Sequence, residues 1–109
     1  MDSNVILLAQ AAPLITTETV LYQVPSGNRA FLQNITCCHR SGNPNESCRV
    51  SFSKAGVATA PQDYLLFDHV LASFDTLFTD LKFTLQAGYE VRVYVSAADI
   101  TVLLFGCLV

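Results

Sequence analysis

Apolar and polar residues alternate with a period of two through almost the whole chain after residue 15. Side chains two residues apart share one face of a β-strand, and no stretch shows the 3.6-residue spacing of a helix. The clearest alternation lies in residues 47–54, where Cys48, Val50 and Phe52 are separated by serine and arginine. This pattern predicts an antiparallel strand with one face on a core and the other toward water.

Turn-forming residues divide this pattern into short strands, spaced as in a β-sandwich. The sequence Pro25-Ser26-Gly27-Asn28 predicts a tight turn, and residues 41–46 predict a loop because they combine several turn formers. Ala87-Gly88 predicts a hairpin whose second strand has Val91, Val93 and Val95 inward and Glu90, Arg92 and Tyr94 outward. The predicted strands are 18–24, 29–40, 47–54, 64–71, 75–79, 82–86, 89–96 and 100–109.

The last predicted strand, residues 100–109, is apolar on both faces. Such a strand lies in the middle of a sheet or against another chain. The whole pattern therefore predicts an all-β protein, an antiparallel, jelly-roll-like β-sandwich of about seven or eight strands. Residues 15–109 form its single domain, and residues 1–14 form a short N-terminal arm or an extra strand.

The N-terminal segment, residues 1–14, carries no charged side chain except Asp2. Burying its five large apolar side chains gives roughly 7–15 kcal/mol, whereas ordering about fourteen residues costs roughly 14–28 kcal/mol of backbone entropy. We therefore expect an arm that pairs with an exposed sheet edge of a neighbouring subunit. The alternative is that the segment is the first strand of its own sandwich. The candidate interface residues are Val5, Ile6, Leu7, Leu8 and Leu14.

Charged residues make up 14% of the chain, against roughly 25% in an ordinary domain. A small soluble monomer needs more charge on its surface, so we expect other subunits to cover part of it. The net charge of −3 and the scattered basic residues argue against nucleic-acid binding. No apolar run approaches the roughly 18–20 residues of a membrane span, so no membrane partner is expected.

The sequence offers no motif for catalysis, and we expect neither an enzyme nor a cofactor. Cys37-Cys38-His39 with Cys48 comes nearest to a metal site, but neighbouring strand residues point to opposite faces and cannot both reach one ion. The chain starts without a basic, apolar secretion signal, so we expect its four cysteines to be reduced. Cys48 in particular is predicted to be a buried free thiol.

Three stretches of this sequence resemble a recurrent β-sandwich of bacteriophage virions. They are Val24–Ala30 with the later Ser-Gly-Asn turn and Arg49-Val50, then Leu71–Leu77, then Thr84–Tyr94. The resemblance covers roughly residues 20–109 and rests mostly on turn and strand residues. Similar modules occur in capsid decoration (cement) proteins and in tail or fibre components.

The resemblance implies a non-enzymatic structural protein, most like a small capsid cement protein that stabilises the head shell from outside. Its implied partners are the major capsid protein and copies of itself, with a trimer as one arrangement. Its implied location is the capsid exterior, after assembly in the host cytoplasm. A tail, baseplate or fibre-attachment module is the alternative. A glycan-binding receptor module is a further one, with Tyr22, Tyr64, Tyr89 and Tyr94 as stacking faces.

Overall fold

The computed structural model describes residues 5–44 and 46–109, which form two four-stranded antiparallel sheets packed as a sandwich. The first sheet has the order β1-β8-β3-β6, and the second has the order β2-β7-β4-β5. A short 3₁₀ helix, Pro61–Asp63, precedes β5. The strands are β1 (Ile6–Ala11), β2 (Thr19–Gln23), β3 (Ala30–His39), β4 (Glu46–Lys54), β5 (Tyr64–Leu71), β6 (Thr76–Leu85), β7 (Tyr89–Val95) and β8 (Ile100–Leu108).

The pairing of the strands follows a nested order. β1 pairs with β8, β2 with β7, β3 with β6, and β4 with β5. The chain thus behaves like one long hairpin rolled into two layers, which is the connectivity of an eight-stranded jelly roll. The predicted all-β sandwich is confirmed.

The core lies between the two sheets and consists almost entirely of branched aliphatic side chains. Leu32 and Ile35 of β3 and Leu104 of β8 face Val50 of β4 and Val91 of β7 across it, and all five are fully buried. β8 lies between β1 and β3, so its predicted position inside a sheet is correct.

The turn at residues 25–28 forms as predicted. The Asn28 amide donates a hydrogen bond to the Pro25 carbonyl at 3.1 Å, and Gly27 has a φ of +81°. This is the third position of a type II turn, where the left-handed backbone favours glycine.

The predicted hairpin at Ala87-Gly88 is wrong, although the turn itself is present. β6 belongs to the first sheet and β7 to the second, so the chain crosses between layers here. The segments 75–79 and 82–86, predicted as two strands, form the single strand β6 with an irregularity at Lys82, whose φ is +56°. Alternation identifies strand faces, but it does not identify the strand that pairs with each edge.

Several side chains predicted to point to water are in fact covered. Ser51, Ser53, Glu90 and Arg92 point away from the core, but each is nearly buried. The β4–β5 connection lies over them: Arg92 donates hydrogen bonds to the Thr59 hydroxyl at 2.7 Å and to the Lys54 carbonyl at 3.2 Å. Period-two alternation shows which side chains point away from the core, but it does not show what covers them.

The N-terminal segment contributes a strand to its own sandwich. Residues 6–11 form β1 at one edge of the first sheet, hydrogen-bonded to β8. The main-chain hydrogen bonds that the entropy argument required come from the same chain, and no neighbouring subunit is needed to provide them. Residues 1–4, also assigned to this segment, lie outside the described residues.

Candidate interaction surface

The outer face of the first sheet carries no charged side chain on the described residues of β1, β8 and β3. Cross-strand neighbours place Gln10, Leu103, Thr36 and Phe78 in one row across the sheet. We call the outward-facing residues of these three strands, with Phe78 of β6 at the rim, the uncharged face. Its members are Leu7, Gln10, Phe31, Asn34, Thr36, Cys38, Phe78, Thr101, Leu103, Phe105 and Cys107.

Large apolar side chains dominate the uncharged face. Leu103 and Phe105 of β8 and Phe31 of β3 are half-buried at its centre, while Leu7 and Phe78 are exposed at opposite edges. Phe78 is 70% exposed, which leaves most of an aromatic ring in water. Asp80 of β6 lies at the edge of the same face, beside Asn34. An antiparallel sheet without a partner normally presents a polar outer face, whereas this face places five large apolar side chains among polar ones.

The second sheet presents the opposite chemistry. Arg92 pairs with Glu90 at 2.9 Å and lies 3.9 Å from Glu18, and Arg49 pairs with Asp68 at 2.6 Å. All three contacts lie on the outer side of the second sheet. The outer side of the second sheet thus combines charged pairs with exposed apolar residues such as Phe67 and Val70, whereas β1, β8 and β3 carry no charged residue on their outer side.

The candidate interface residues of the N-terminal segment occupy three different environments. Leu7 belongs to the uncharged face, and Val5 and Ile6 are exposed at the free edge of β1. Leu8 packs against the core, and Leu14 is exposed in the connection to β2. The structure therefore does not gather the five residues into one patch.

The aromatic members of the uncharged face, Phe31, Phe78 and Phe105, were not among the predicted interface residues. One signal was available, because the two-sided apolar character of residues 100–109 requires apolar outward positions at Leu103 and Phe105. No local pattern shows that Phe31 and Phe78 lie beside them, since that depends on the β3–β6 and β3–β8 pairings.

The tyrosines considered for sugar stacking do not form an open platform. Tyr22 and Tyr89 pack against the core. The Arg49 guanidinium lies 4.2 Å from the ring centre of Phe67 and 4.4 Å from that of Tyr94, so it covers one face of each ring. The Arg49 hydrogen bonds also hold the pKa of the Asp68 carboxyl below its ordinary value.

A small polar cluster closes one end of the sandwich around the buried His39. Its Nε2 lies 2.7 Å from the Asn43 carbonyl and 3.4 Å from the Glu46 Oε1, which has no hydrogen-bond partner among the described residues. Burial, followed by the contact with Asp99, raises the pKa of Glu46, while the Ser41 hydroxyl and other donors lower the pKa of Asp99.

No group of three or more His, Cys, Asp or Glu side chains within residues 5–44 and 46–109 is arranged to hold a metal ion. Cys37 points into the core and Cys38 toward the outer face, as expected for neighbours on a strand. All four cysteines are free thiols, and the prediction of a buried free thiol at Cys48 is confirmed.

Comparison with known proteins gives no relative from which a function follows. No family model matches the chain, and no curated protein or solved structure matches it either. Over the part of the chain that the structure describes, no helix is long and apolar enough to cross a membrane.

Proposed function

We propose that this chain is a non-enzymatic structural protein of a bacteriophage particle, a capsid cement protein that binds the head shell from outside. Three arguments support the proposal. The motif residues resemble virion β-sandwiches, the connectivity is that of a jelly roll, and three of the four strands of the first sheet carry no charged residue on their outer side. Jelly rolls serve several functions, so the third argument carries the most weight.

The uncharged face is the observation that carries the proposal. Aromatic and aliphatic side chains such as Phe31, Leu103 and Phe105 are typical of interface centres, where charged residues are depleted. A contiguous apolar surface on a small protein marks a site of association. The partners that fit this surface are the major capsid protein and further copies of the chain.

Attachment then works by burial of apolar surface and not by charge. Each copy contributes a modest contact, and contacts among many copies fixed on one shell reinforce each other because each added link is made at high effective concentration. The charged second sheet remains in water and keeps the outer surface of the decorated shell soluble.

Locating the protein in an intact particle tests the proposal directly. We expect density for this fold on the outside of the head, in a copy number proportional to that of the capsid subunits, with the first sheet toward the shell. Finding it in a few copies at the tail would replace the cement function with that of a tail component. Finding it in no particle would overturn both.

A binding assay separates the uncharged face from the rest of the surface. Phe78→Asp should lower the occupancy of the chain on undecorated heads at least tenfold, because it places a carboxylate in the apolar contact. The control Val57→Asp adds the same charge at an exposed residue of the β4–β5 connection and should bind like the unaltered chain. Equal binding by both variants would contradict the assignment of this face.

A further inference from the structure

Two buried thiols meet in the middle of the sandwich. Cys37 belongs to β3 of the first sheet and Cys48 to β4 of the second, and each side chain is 1% exposed. Their Sγ atoms are 3.9 Å apart, so the two sulfurs are in contact across the core.

The other two cysteines cannot compete for this contact. Cys38 follows Cys37 directly and therefore points to the opposite face of β3. Cys107 lies opposite Phe31 in the β3–β8 pairing, also on the outer side of the first sheet. The fold thus selects one pair out of the six that four cysteines allow.

We propose that Cys37 and Cys48 are a site of oxidation, where a small peroxide closes a disulfide between the two sheets. A disulfide needs its sulfurs about 2.05 Å apart, so the present contact must shorten by about 1.9 Å. Closing the bond requires the two side chains to rotate and the sheets to approach each other. The link closes only the short segment between residues 37 and 48, which includes the β3–β4 loop.

The chemistry balances with one peroxide molecule. The thiolate of one cysteine attacks hydrogen peroxide, forming a sulfenic acid and releasing hydroxide, which takes up the proton lost by that thiol. The second thiol attacks the sulfenic sulfur, the S–S bond forms, and the oxygen leaves as water. Two thiols and one peroxide thus give one disulfide and two waters.

The contact between the two sulfurs shifts the pKa values of the two thiols in opposite directions. Contact with Cys37 lowers the pKa of Cys48, whereas the same contact and burial raise the pKa of Cys37. The thiolate is the nucleophile, and because the two sulfurs are in contact, whichever of them forms the sulfenic acid has the other beside it to resolve it.

Such a link would be open inside a reducing cell and would close in oxidising surroundings. The two sheets would assemble unlinked and become covalently joined afterwards. This inference does not depend on which partner binds the uncharged face, because both sulfurs lie in the interior.

The experiment uses the full chain with Cys38→Ser and Cys107→Ser, which removes the two thiols outside the pair. The reduced, folded protein is treated with hydrogen peroxide, its remaining thiols are blocked, and it is unfolded and cut with trypsin. We expect the intact mass to fall by two hydrogen atoms and the tryptic peptides 30–40 and 41–49 to be joined. The melting temperature should rise by several degrees and return after dithiothreitol.

A third substitution provides the matched control. Cys48→Ser in the same background should give neither the cross-link nor the rise in melting temperature. The proposal is overturned if peroxide adds oxygen to the native protein without joining the two peptides. It is equally overturned if the cross-link forms only after the protein is unfolded in urea.

Discussion

At Gly106 the first sheet leaves no room for a side chain. A Cβ atom added there would collide with the carbonyl oxygen of Phe31 and would approach Leu8 Cδ1 to 3.0 Å. Because the first obstacle is backbone of the neighbouring strand, rotation of a side chain cannot relieve it. This glycine allows β1, β8 and β3 to lie close together beside the bulge at Leu8.

We therefore expect Gly106→Ala to lower the free energy of unfolding by roughly 1–3 kcal/mol, the usual cost of overpacking. Urea unfolding followed by circular dichroism measures this change. Gly42→Ala is the matched control, because its added methyl group would meet only the Phe74 ring at 3.4 Å. Equal stability of the two variants would show that β3 and β8 can separate at no cost.

Glu46 gives the stability a pH dependence of known sign. Its pKa is raised above the ordinary 4.5, first by burial and then by the contact with Asp99, with His39 and Asn43 acting in the opposite direction. An acid whose pKa is higher in the folded state contributes its stability fully below the unfolded value. That contribution is lost as the pH rises through the folded value.

Glu46→Gln imitates the protonated acid, because an amide can still donate to Asp99. We expect the variant and the unaltered protein to have the same melting temperature near pH 4. At pH 7 the variant should melt at a higher temperature, and the difference should grow steadily from pH 4 to pH 7. Thermal melts across that range measure it. A difference independent of pH would rule out ionisation of Glu46 as the cause, and Glu46→Ala, which has no donor, should be less stable throughout.

Among the elements, β1 is the one whose role the sequence left open. It pairs with β8 and places Leu8 and Ala9 against the core. Removing β1 would take away the Leu8 side chain, whose burial contributes roughly 1.5–3 kcal/mol to stability. It would also leave one edge of β8 without a hydrogen-bonded neighbour. That edge belongs to a strand that is apolar on both faces.

Deletion of residues 1–11 should therefore unfold or aggregate the protein, as seen by loss of the β-sheet circular dichroism signal. The control Leu14→Ser alters a residue of the same segment that is 73% exposed and outside the strand, and it should leave the melting temperature unchanged. A truncated chain with native circular dichroism would show that β1 is dispensable, as the arm hypothesis requires.

Strands and turns were predictable from the sequence because they follow from local rules. The period-two pattern located β4 and β7 almost to the residue, and Gly27 marked its turn. Asp80, a common turn residue, made β6 look like two strands, whereas the structure has an irregularity there with a left-handed backbone at Lys82.

The candidate surface was harder to predict because it depends on pairings between distant parts of the chain. Phe78 and Phe31 lie on neighbouring strands of one face, but 47 positions separate them in the sequence. The low charge indicated that some surface would be covered, but only the sheet order shows which one. The composition shows that charged residues are few, whereas the strand order shows which surface lacks them.

For the whole molecule, the uncharged face predicts self-association. The isolated chain should form oligomers at low micromolar concentration, which sedimentation velocity detects. Leu103→Asp should leave it folded and monomeric, because Leu103 points outward. Leu104→Asp should abolish folding, because its neighbour Leu104 is fully buried and an unpaired carboxylate cannot be accommodated there.

The results for Leu103→Asp and Leu104→Asp have to be interpreted together. A soluble, folded Leu104→Asp variant would mean that the inner face of β8 is open to water. Val57→Asp, on the side of the second sheet, should still associate, which excludes a general effect of added negative charge. Monomers of the unaltered chain at high concentration would contradict association through this face.

The nested pairing of the strands also determines when each strand can find its partner. Ile6 of β1 pairs with Gly106 of β8, so the first sheet lacks one of its two central strands until nearly the whole described chain has been made. Pairings this distant in sequence slow folding to the range of roughly milliseconds to seconds, and β1 and β3 expose apolar edges during the wait. When many copies are synthesised at once, an incomplete chain can contact other incomplete chains before its own β8 has been made. We therefore expect the yield of folded protein to fall as the rate of synthesis rises.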